Sequence, residues 1–337
     1  MMSGDDSSLV MEDRGSNDEP KTPDFPKKSK TAYDVIIIGA GPAGYTAGIY
    51  CSRARHDTLL ISGLLPGGQL MNTTDVENYP GFDEGIMGPD LMLTMRKQAE
   101  RMTTTIIDDV VVNVDFRAKP FKVLTGSEEY EAKAVIVCTG ATPRKIGIEG
   151  EQTFSGKGVS YCATCDGAFF REQPIAVVGG GDSCMEEAIF LTKFASKVHI
   201  IHRRDEFRAS KIMQERALSN EKIQVHWNST VKDIKGDEKV KQIILTDTKS
   251  NEETSLDMSG VFVAIGHSPA NELVKDTLKT HMGGYVITKP DSTETSIAGV
   301  FAAGDLTDHK YRQAVTSAGM GCMAALEAER WLSEQAE

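Results

Sequence analysis

The chain predicts an α/β fold built from two nucleotide-binding modules, and three observations carry that prediction. A β-branched strand, Asp34-Val35-Ile36-Ile37-Ile38, runs directly into Gly39-Ala40-Gly41-Pro42-Ala43-Gly44 and then into a helix-like stretch. The pattern restarts with Pro174-Ile175-Ala176-Val177-Val178, then Gly179-Gly180-Gly181-Asp182-Ser183-Cys184, then a helical run over residues 185–194. Each copy closes on a further apolar strand that ends in glycine, over residues 134–140 and 261–266. Strand, G-x-G-x-x-G turn and helix, in that order, let a pyrophosphate approach backbone N–H groups at a helix N-terminus. The degenerate duplication therefore reads as two modules, each holding its own dinucleotide.

Length and composition agree. A chain of 337 residues suits two domains. A net charge of -12 argues against a nucleic-acid binder. No apolar run reaches the roughly 18 residues needed to span a bilayer, so no membrane partner is expected. Residues 1–30 are poor in apolar residues and rich in Ser, Asp, Glu, Lys and Pro, which predicts a disordered tail. The tail has no apolar h-region, and its many acids argue against a transit peptide. A reducing, cytoplasmic setting is the default expectation.

In chain order, the first strand and glycine turn lead to a helix over residues 45–51. About 20 residues on, where an acid would hold a ribose, Leu59-Leu60-Ile61 runs instead into Ser62-Gly63, so that element is missing. Two polar, Gly-rich loops follow, Pro66-Gly67-Gly68-Gln69-Leu70 and Glu77-Asn78-Tyr79-Pro80-Gly81. Residue physics alone slightly favours ordinary turns over loops that flank a flat polar ring. Residues 88–103 have helical spacing through Leu91, Met95, Ala99 and Met102, with Met92 and Met95 read as core filler.

Midway lies Ser160-Tyr161-Cys162-Ala163-Thr164-Cys165-Asp166-Gly167. Two cysteines three apart meet on one face if the segment makes a helical turn. Their Cα atoms then lie roughly 5.5 Å apart, which a disulfide accepts. Such a pair is a structural bridge, half of a zinc site or a redox couple. A zinc site expects a second Cys or His pair, and no metal is expected because none exists. A bridge across so short a loop constrains the unfolded chain little. Redox is the leading reading, and the surroundings decide it.

In the second copy Cys184 takes the third glycine position, where a small hydrophobe packs helix on strand. The next strand, Lys197-Val198-His199-Ile200-Ile201, ends in His202-Arg203-Arg204-Asp205-Glu206-Phe207-Arg208. Arginines at that point clamp a ribose 2′-phosphate and so indicate NADP. A last buried strand, Val300-Phe301-Ala302-Ala303, leads to Gly304-Asp305 and a helix over residues 314–332. Asp305 sits where sheet ligands bind, although a capping role is nearly as well supported. Two dinucleotide sites and one Cys pair describe an electron path, for which a flavin is the usual intermediary.

From residue 33 to about residue 331 the chain resembles the low-molecular-weight thioredoxin reductases. The resemblance rests on residues 39–44, Gly67-Gly68-Gln69, Cys162-Ala163-Thr164-Cys165-Asp166, His202-Arg203-Arg204 with Arg208, and Gly304-Asp305 with Tyr311-Arg312-Gln313-Ala314. It implies two Rossmann-like domains of the three-layer β/β/α type, the second inserted in the first. Residues 31–144 and 269–337 would hold FAD, and residues 145–268 would hold NADPH and carry the Cys pair. The FAD contacts implied are Gly39, Gly41, Pro42, Ala43, Gly44, Ser62, Gly68, Gln69, Asn78, Thr139, Gly140, Gly304, Asp305, Arg312, Gln313 and Ala314. Those for NADPH are Gly179, Gly181, Asp182, Ser183, Glu186, His202, Arg203, Arg204, Arg208, Ile265 and Gly266. Departures are Cys184 in place of a small residue, Met71-Asn72 after the Gly-Gly-Gln loop, and the unmatched first thirty residues.

The activity implied is reduction of thioredoxin, from NADPH to FAD to the Cys162–Cys165 disulfide to thioredoxin. Cys165 would face the flavin, Cys162 would attack the partner, and Asp166 would manage the proton. A homodimer and rotation between the domains are also implied. The alternatives are a related flavoprotein dithiol oxidase, a reductase of another disulfide substrate, or a redox-sensing scaffold without turnover. Arg203 and Arg208 weigh against an oxidase, and two intact fingerprints weigh against a scaffold.

Overall fold

The computed structural model describes residues 30–336 apart from Thr74 and Met282. The expected tail over residues 1–30 lies outside the described residues, save for Lys30. Strand β1 (Ala32–Ile38) leads through the first glycine turn into α1 (Pro42–Arg53) and β2 (Thr58–Ile61). A small hairpin, β3 (Asp75–Val76) with β4 (Ile86–Met87), precedes α2 (Gly88–Arg101). Then come β5 (Thr105–Ile107), β6 (Val111–Asp115), β7 (Phe121–Thr125) and β8 (Glu129–Val137). They hydrogen-bond in the order β5-β2-β1-β8-β7-β6, the first four parallel and the last two antiparallel.

The alternation along β1 and β8 explains the three layers, because successive side chains point to opposite faces. Val35, Ile37, Ala134 and Ile136 face α1 and α2, where Leu91, Met92 and Met95 complete one core. Ile36, Ile38, Val135 and Val137 face the other way, onto Phe121, Val123 and Tyr130. Burying each such large side chain contributes roughly 1.5–3 kcal/mol. Neither module could hold its parallel strands with one face open to water.

The chain then leaves this sheet through β9 (Ala141–Pro143) and α3 (Glu149–Thr153). The second unit comprises β10 (Val159–Ser160), α4 (Ala163–Asp166), β11 (Pro174–Gly179), α5 (Asp182–Leu191), β12 (Lys197–Ile201), α6 (Lys211–Leu218) and β13 (Ile223–His226). It continues through β14 (Ser229–Gly236), β15 (Val240–Asp247), β16 (Glu253–Asp257) and β17 (Gly260–Ala264). A parallel sheet, β10-β17-β11-β12-β13, carries α5 and α6 on one face and the antiparallel β14-β15-β16 on the other. The chain returns through β18 (His267–Pro269), β19 (Val300–Ala302) and α7 (Ala314–Ala336). Strand β19 lies parallel to β8 at Val135–Val137, beyond the stretch of β8 that pairs with β7. The second Rossmann-like unit is thus inserted in the first.

The two crossing segments are themselves paired. Ala141 lies opposite Pro269, Thr142 opposite Ser268, and Pro143 opposite His267, in an antiparallel ribbon of two short strands. The fingerprint helices begin on the glycine turns themselves, at Pro42 and Asp182, earlier than the apolar spacing alone predicts. The antiparallel strands β6, β7 and β14 to β16 have no counterpart in the sequence reading. Their alternation is broken by charged residues and register shifts, between Val111 and Asn113 and again between Val231 and Asp233.

Candidate functional site

Both glycine turns lie at the carboxyl ends of their sheets, and their glycines divide the work in the same way. A Cβ on Gly39, whose φ is 106°, would meet the Cys138 carbonyl oxygen at 2.3 Å, and one on Gly44 would meet the Gly39 carbonyl oxygen at 1.8 Å. These two positions must stay bare for α1 to abut the strands. Gly41, by contrast, faces open space at the N-cap of α1, and no side chain caps that helix. Free N–H groups at a helix N-terminus beside open space fit a dinucleotide pyrophosphate. Pro42 and the buried Ala43 continue the first turn. In the second module Gly179 is tightly packed, against the Ala264 carbonyl and Cys184, while Gly181 and Gly266 face open space. Cys184 is fully buried, and burial pushes its thiol pKa up, which suits packing and not catalysis.

Around the first turn the loop over residues 66–70 is docked and not free. The Gly67 N–H donates to the Ala40 carbonyl at 3.0 Å, inside the fingerprint, and Gly68 and Gln69 open a short 3-10 helix. Ser62, buried at the end of β2, stands where a ribose acid was missing. Its hydroxyl helps to hold Asp108, which Arg96 chiefly keeps below the usual carboxylate range through a forked pair at 2.8 and 3.0 Å. Thr139 donates to the Ala270 carbonyl at 2.6 Å, and Gly140 faces open space. Asp305 follows Gly304 after β19 and accepts a hydrogen bond from Ser317 at 2.9 Å. Burial pushes its pKa up to about 6 against that hydrogen bond. The Arg312 guanidinium reaches His267 Nδ1 at 2.8 Å, and Ala314 is the first residue of α7. Burial lowers the pKa of His267 to about 4, with Arg312 and Arg144 adding to the effect.

The disulfide joins the two halves of the site. Cys162 and Cys165 are bonded, with Cα atoms 5.3 Å apart across α4. The Cys162 N–H donates to Ser160 Oγ at 3.1 Å, and Thr164 Oγ1 lies 3.4 Å from Cys162 Sγ. Gln313 belongs to the segment before α7, yet its amide nitrogen reaches Thr164 Oγ1 at 3.2 Å and Cys162 Sγ at 4.0 Å. The Gln313 carbonyl oxygen accepts from Asn78 at 3.3 Å. The Cys pair thus lies against Gln313 of the first module, which Asn78 holds in turn; the family resemblance places both beside a flavin. Burial raises the pKa of Asp166, opposed by a hydrogen bond from Ser160, so this carboxyl is suited to hold a proton next to the sulfurs.

A cavity of about 840 Å³ opens at the second turn, lined in part by Gly179, Gly181, Ser183, Ile265 and Gly266. Arg203, Arg204 and Arg208 also line it; all three are exposed, and no described carboxylate forms an ion pair with them. Its size and unpaired cations fit a phosphorylated dinucleotide. Asp182 also lines the cavity, but its Oδ1 accepts from both the N–H and the hydroxyl of Ser210 at 2.8 Å. Glu186 is exposed on α5 and is not among the lining residues. His202 is buried, with both ring nitrogens turned to protein carbonyls.

Sequence reasoning passed over Ser160, Thr164, His267 and Glu187. The last carried a signal, since position 187 falls three after Cys184 and four before Leu191, on the buried stripe of α5. Among the described residues no group of three or more His, Cys, Asp or Glu side chains could hold a metal ion.

The family model for pyridine nucleotide-disulphide oxidoreductases matches residues 33–321. The chain is 56% identical to a thioredoxin reductase of Mycolicibacterium smegmatis, over 91% of this chain and 99% of that one. It is 44% identical to the crystallised thioredoxin reductase of Streptococcus pyogenes MGAS5005, with a TM-score of 0.87 over 91% of this chain and 100% of that one. The Lactococcus lactis thioredoxin reductase described as the FR conformation is 43% identical, yet its TM-score is 0.61 over 90% of this chain and 99% of that one.

Proposed function

The chain belongs to the pyridine nucleotide-disulphide oxidoreductase family, and from that premise we propose that it is an NADPH-dependent thioredoxin-disulfide reductase using FAD. One observation carries the reading: a Cys-x-x-Cys disulfide in the second module set against Gln313 of the first, which Asn78 holds in turn, between two dinucleotide cradles. FAD, when bound, relays reducing equivalents from NADPH to that disulfide.

The chain's own residues do the rest. Arg203, Arg204 and Arg208 hold the 2′-phosphate, and the turn at Gly179 and Gly181 admits the pyrophosphate. Gly41 would do the same for FAD, with Gly39 and Gly44 letting α1 abut the strands, and Asp305, Gln313 and Ala314 would help to hold it. Once the pair is a dithiol, the Cys162 thiolate attacks one sulfur of the thioredoxin disulfide and the other sulfur leaves as a thiolate. Cys165 then attacks Cys162, which restores the disulfide here and releases thioredoxin as a dithiol. Asp166 supplies and recovers the proton at these sulfurs.

The proposal includes a moving unit. In the present arrangement Cys162 is half-buried against Gln313, where a whole protein could not reach it. Residues 145–268 therefore turn as one body on the β9–β18 ribbon, relative to residues 31–144 and 269–337. The drop in TM-score between two relatives of nearly equal identity supports two module arrangements within the family. Homodimerisation and a cytoplasmic setting complete the proposal. Tyr50, Met323 and Leu326 stay exposed on α1 and α7, and no described helix is long and apolar enough to cross a membrane. Purified protein loaded with FAD should oxidise NADPH only when a thioredoxin is added. NADPH loss at the same rate without thioredoxin would overturn the reading in favour of an oxidase.

A further inference from the structure

Cys162 has a hydrogen-bond donor two residues along its own chain. Thr164 Oγ1 lies 3.4 Å from Cys162 Sγ. A sulfur in a disulfide has no hydrogen to give, so the hydroxyl is the donor of this pair. Thr164 has no described role in the packing of α4; its side chain is exposed.

The other module aims that hydroxyl. The Gln313 side-chain oxygen accepts from Asn78 at 3.3 Å, while the other end of its amide faces the Tyr311 and Arg312 carbonyls, each at 3.1 Å. Two carbonyls there identify that end as the NH2 group, because an oxygen would find no hydrogen to accept. The same nitrogen lies 3.2 Å from Thr164 Oγ1. A hydroxyl that accepts from an amide keeps its own hydrogen for a second acceptor. Among the described residues, Cys162 Sγ is the acceptor within its reach. Amide, hydroxyl and sulfur thus form one directed chain from the first module into the second.

We propose that Thr164 is a further catalytic residue: its hydroxyl, braced by the Gln313 amide, donates to Cys162 Sγ and draws the negative charge of the reduced pair onto that sulfur. The proposal rests on the reductase reading above and goes beyond it, since that reading gives the charge on Cys162 no partner. The balance of the step shows what the donor decides. A hydride equivalent from NADPH breaks the S–S bond and leaves two sulfurs with one proton between them, so one is a thiol and the other a thiolate. Only a thiolate on Cys162 attacks the next disulfide, so the charge has to reach that sulfur. A hydrogen bond to the charged form stabilises it, and one from a hydroxyl to a thiolate is charge-assisted. Thr164 belongs to α4 and travels with Cys162 when the second module turns, while Gln313 stays with the first. The brace therefore acts where the disulfide is reduced and is released where Cys162 meets its partner.

The test uses the FAD-loaded enzyme with its modules chemically cross-linked as they lie here, reduced under argon with dithiothreitol and then freed of it. Iodoacetamide labelling of Cys162, located by mass spectrometry and followed across pH, gives the thiol pKa without turnover. In Thr164→Val that pKa should rise by about one unit, and in Thr164→Ser it should return to within about 0.3 of the wild type. An unchanged pKa in Thr164→Val, or a serine variant that behaves like the valine one, overturns the proposal. Since Thr164 is exposed, neither substitution opens a core. The brace is read from a double-mutant cycle with Gln313→Leu, in which Thr164→Val should shift the pKa less than it does beside Gln313. Equal shifts in the two backgrounds overturn the brace. The titratable groups on the segments around the pair (Cys165 and Asp166 on α4, Tyr161 with Glu151 before it, Glu187 on α5 and Arg312 beside Gln313) are common to every arm and cancel. Should the enzyme fail to reduce thioredoxin, the reductase reading falls, and the labelling separately decides Thr164.

Discussion

Glu187 offers a stability measurement whose sign and size follow from the structure. It lies on α5 among Cys184, Met185, Ala188 and Leu191, all fully buried, and its Oε2 is buried with no hydrogen-bond partner in the described structure. Burial raises its pKa from the ordinary 4.5 to about 7; Arg312, reaching across from the first module, opposes the rise and Glu186 adds to it. The folded protein therefore binds this proton more tightly than the unfolded chain. That contribution to stability is fully present below about pH 4.5, falls as the pH rises, and is gone above about pH 7.

At about 1.4 kcal/mol per pH unit, the rise from 4.5 to about 7 is worth about 3 kcal/mol. The cost of one orphaned buried oxygen, about 1–3 kcal/mol, is of the same order. Glu187→Gln removes the titration, so the variant should gain on the wild type by about 2.5 kcal/mol between pH 5 and pH 8. For a chain of this length that is a relative gain in Tm of about 4 °C. Paired thermal melts at saturating FAD, from pH 5 to pH 8.5, read the difference directly. Asp166, Asp305 and His267 titrate in both proteins and largely cancel. A difference in Tm that stays constant across the range would refute the reasoning.

Three further outcomes are expected. Arg203→Ala with Arg208→Ala should raise the KM for NADPH and spare NADH, each lost phosphate contact costing roughly 1.5–3 kcal/mol; steady-state kinetics with both coenzymes checks this, and a parallel loss would refute it. Either Cys162→Ser or Cys165→Ser should abolish thioredoxin reduction, but only Cys165→Ser should trap a stable mixed disulfide with thioredoxin, visible on a non-reducing gel. A verified chemical cross-link holding the two modules as they lie here should stop multiple turnover yet leave reduction of the Cys162–Cys165 disulfide possible in a single-turnover assay. Full steady-state activity after cross-linking would remove the need for motion.

The parallel strands, the glycine turns and the Cys pair were legible because each rests on local physics. A β-branched run before G-x-G-x-x-G has few other uses, and two cysteines at helical spacing must meet. Cys184 was read correctly for the same reason, since a small hydrophobe at the third glycine position can only pack there. Less legible were the antiparallel strands, whose alternation is blurred by the exposed apolar Val112 and Leu124 and by the register shifts. Illegible altogether were the contacts made by distant segments. Gln313 is 151 residues from Cys162, and Asn78 is 235 residues from Gln313; nothing local announces either meeting. The loops holding Gln69 and Asn78 passed for ordinary turns, because their purpose lies in the Gly67–Ala40 bond and the Gln313 amide, both tertiary.

His202 and Glu187 show the same division from the other side. As letters in a sequence, His202 is one more basic residue in a basic turn, and Glu187 one of two adjacent acids on a helix. Packing alone separates them from their neighbours: His202 turns inward to two carbonyls while Arg203 and Arg204 stay out, and Glu187 enters the buried stripe while Glu186 stays exposed. Each puts ionisable chemistry where burial makes it costly, one beneath the second fingerprint and the other facing Arg312 across the modules. Since Arg312 also binds His267 on the β9–β18 ribbon, a charge on Glu187 is felt at the pivot as well as on α5. Any rotation that carries α5 away from Arg312 removes the one charge that opposes the raised pKa of Glu187, while the packing of α5 that raises it travels with the helix, so the modules' separation holds this proton more tightly.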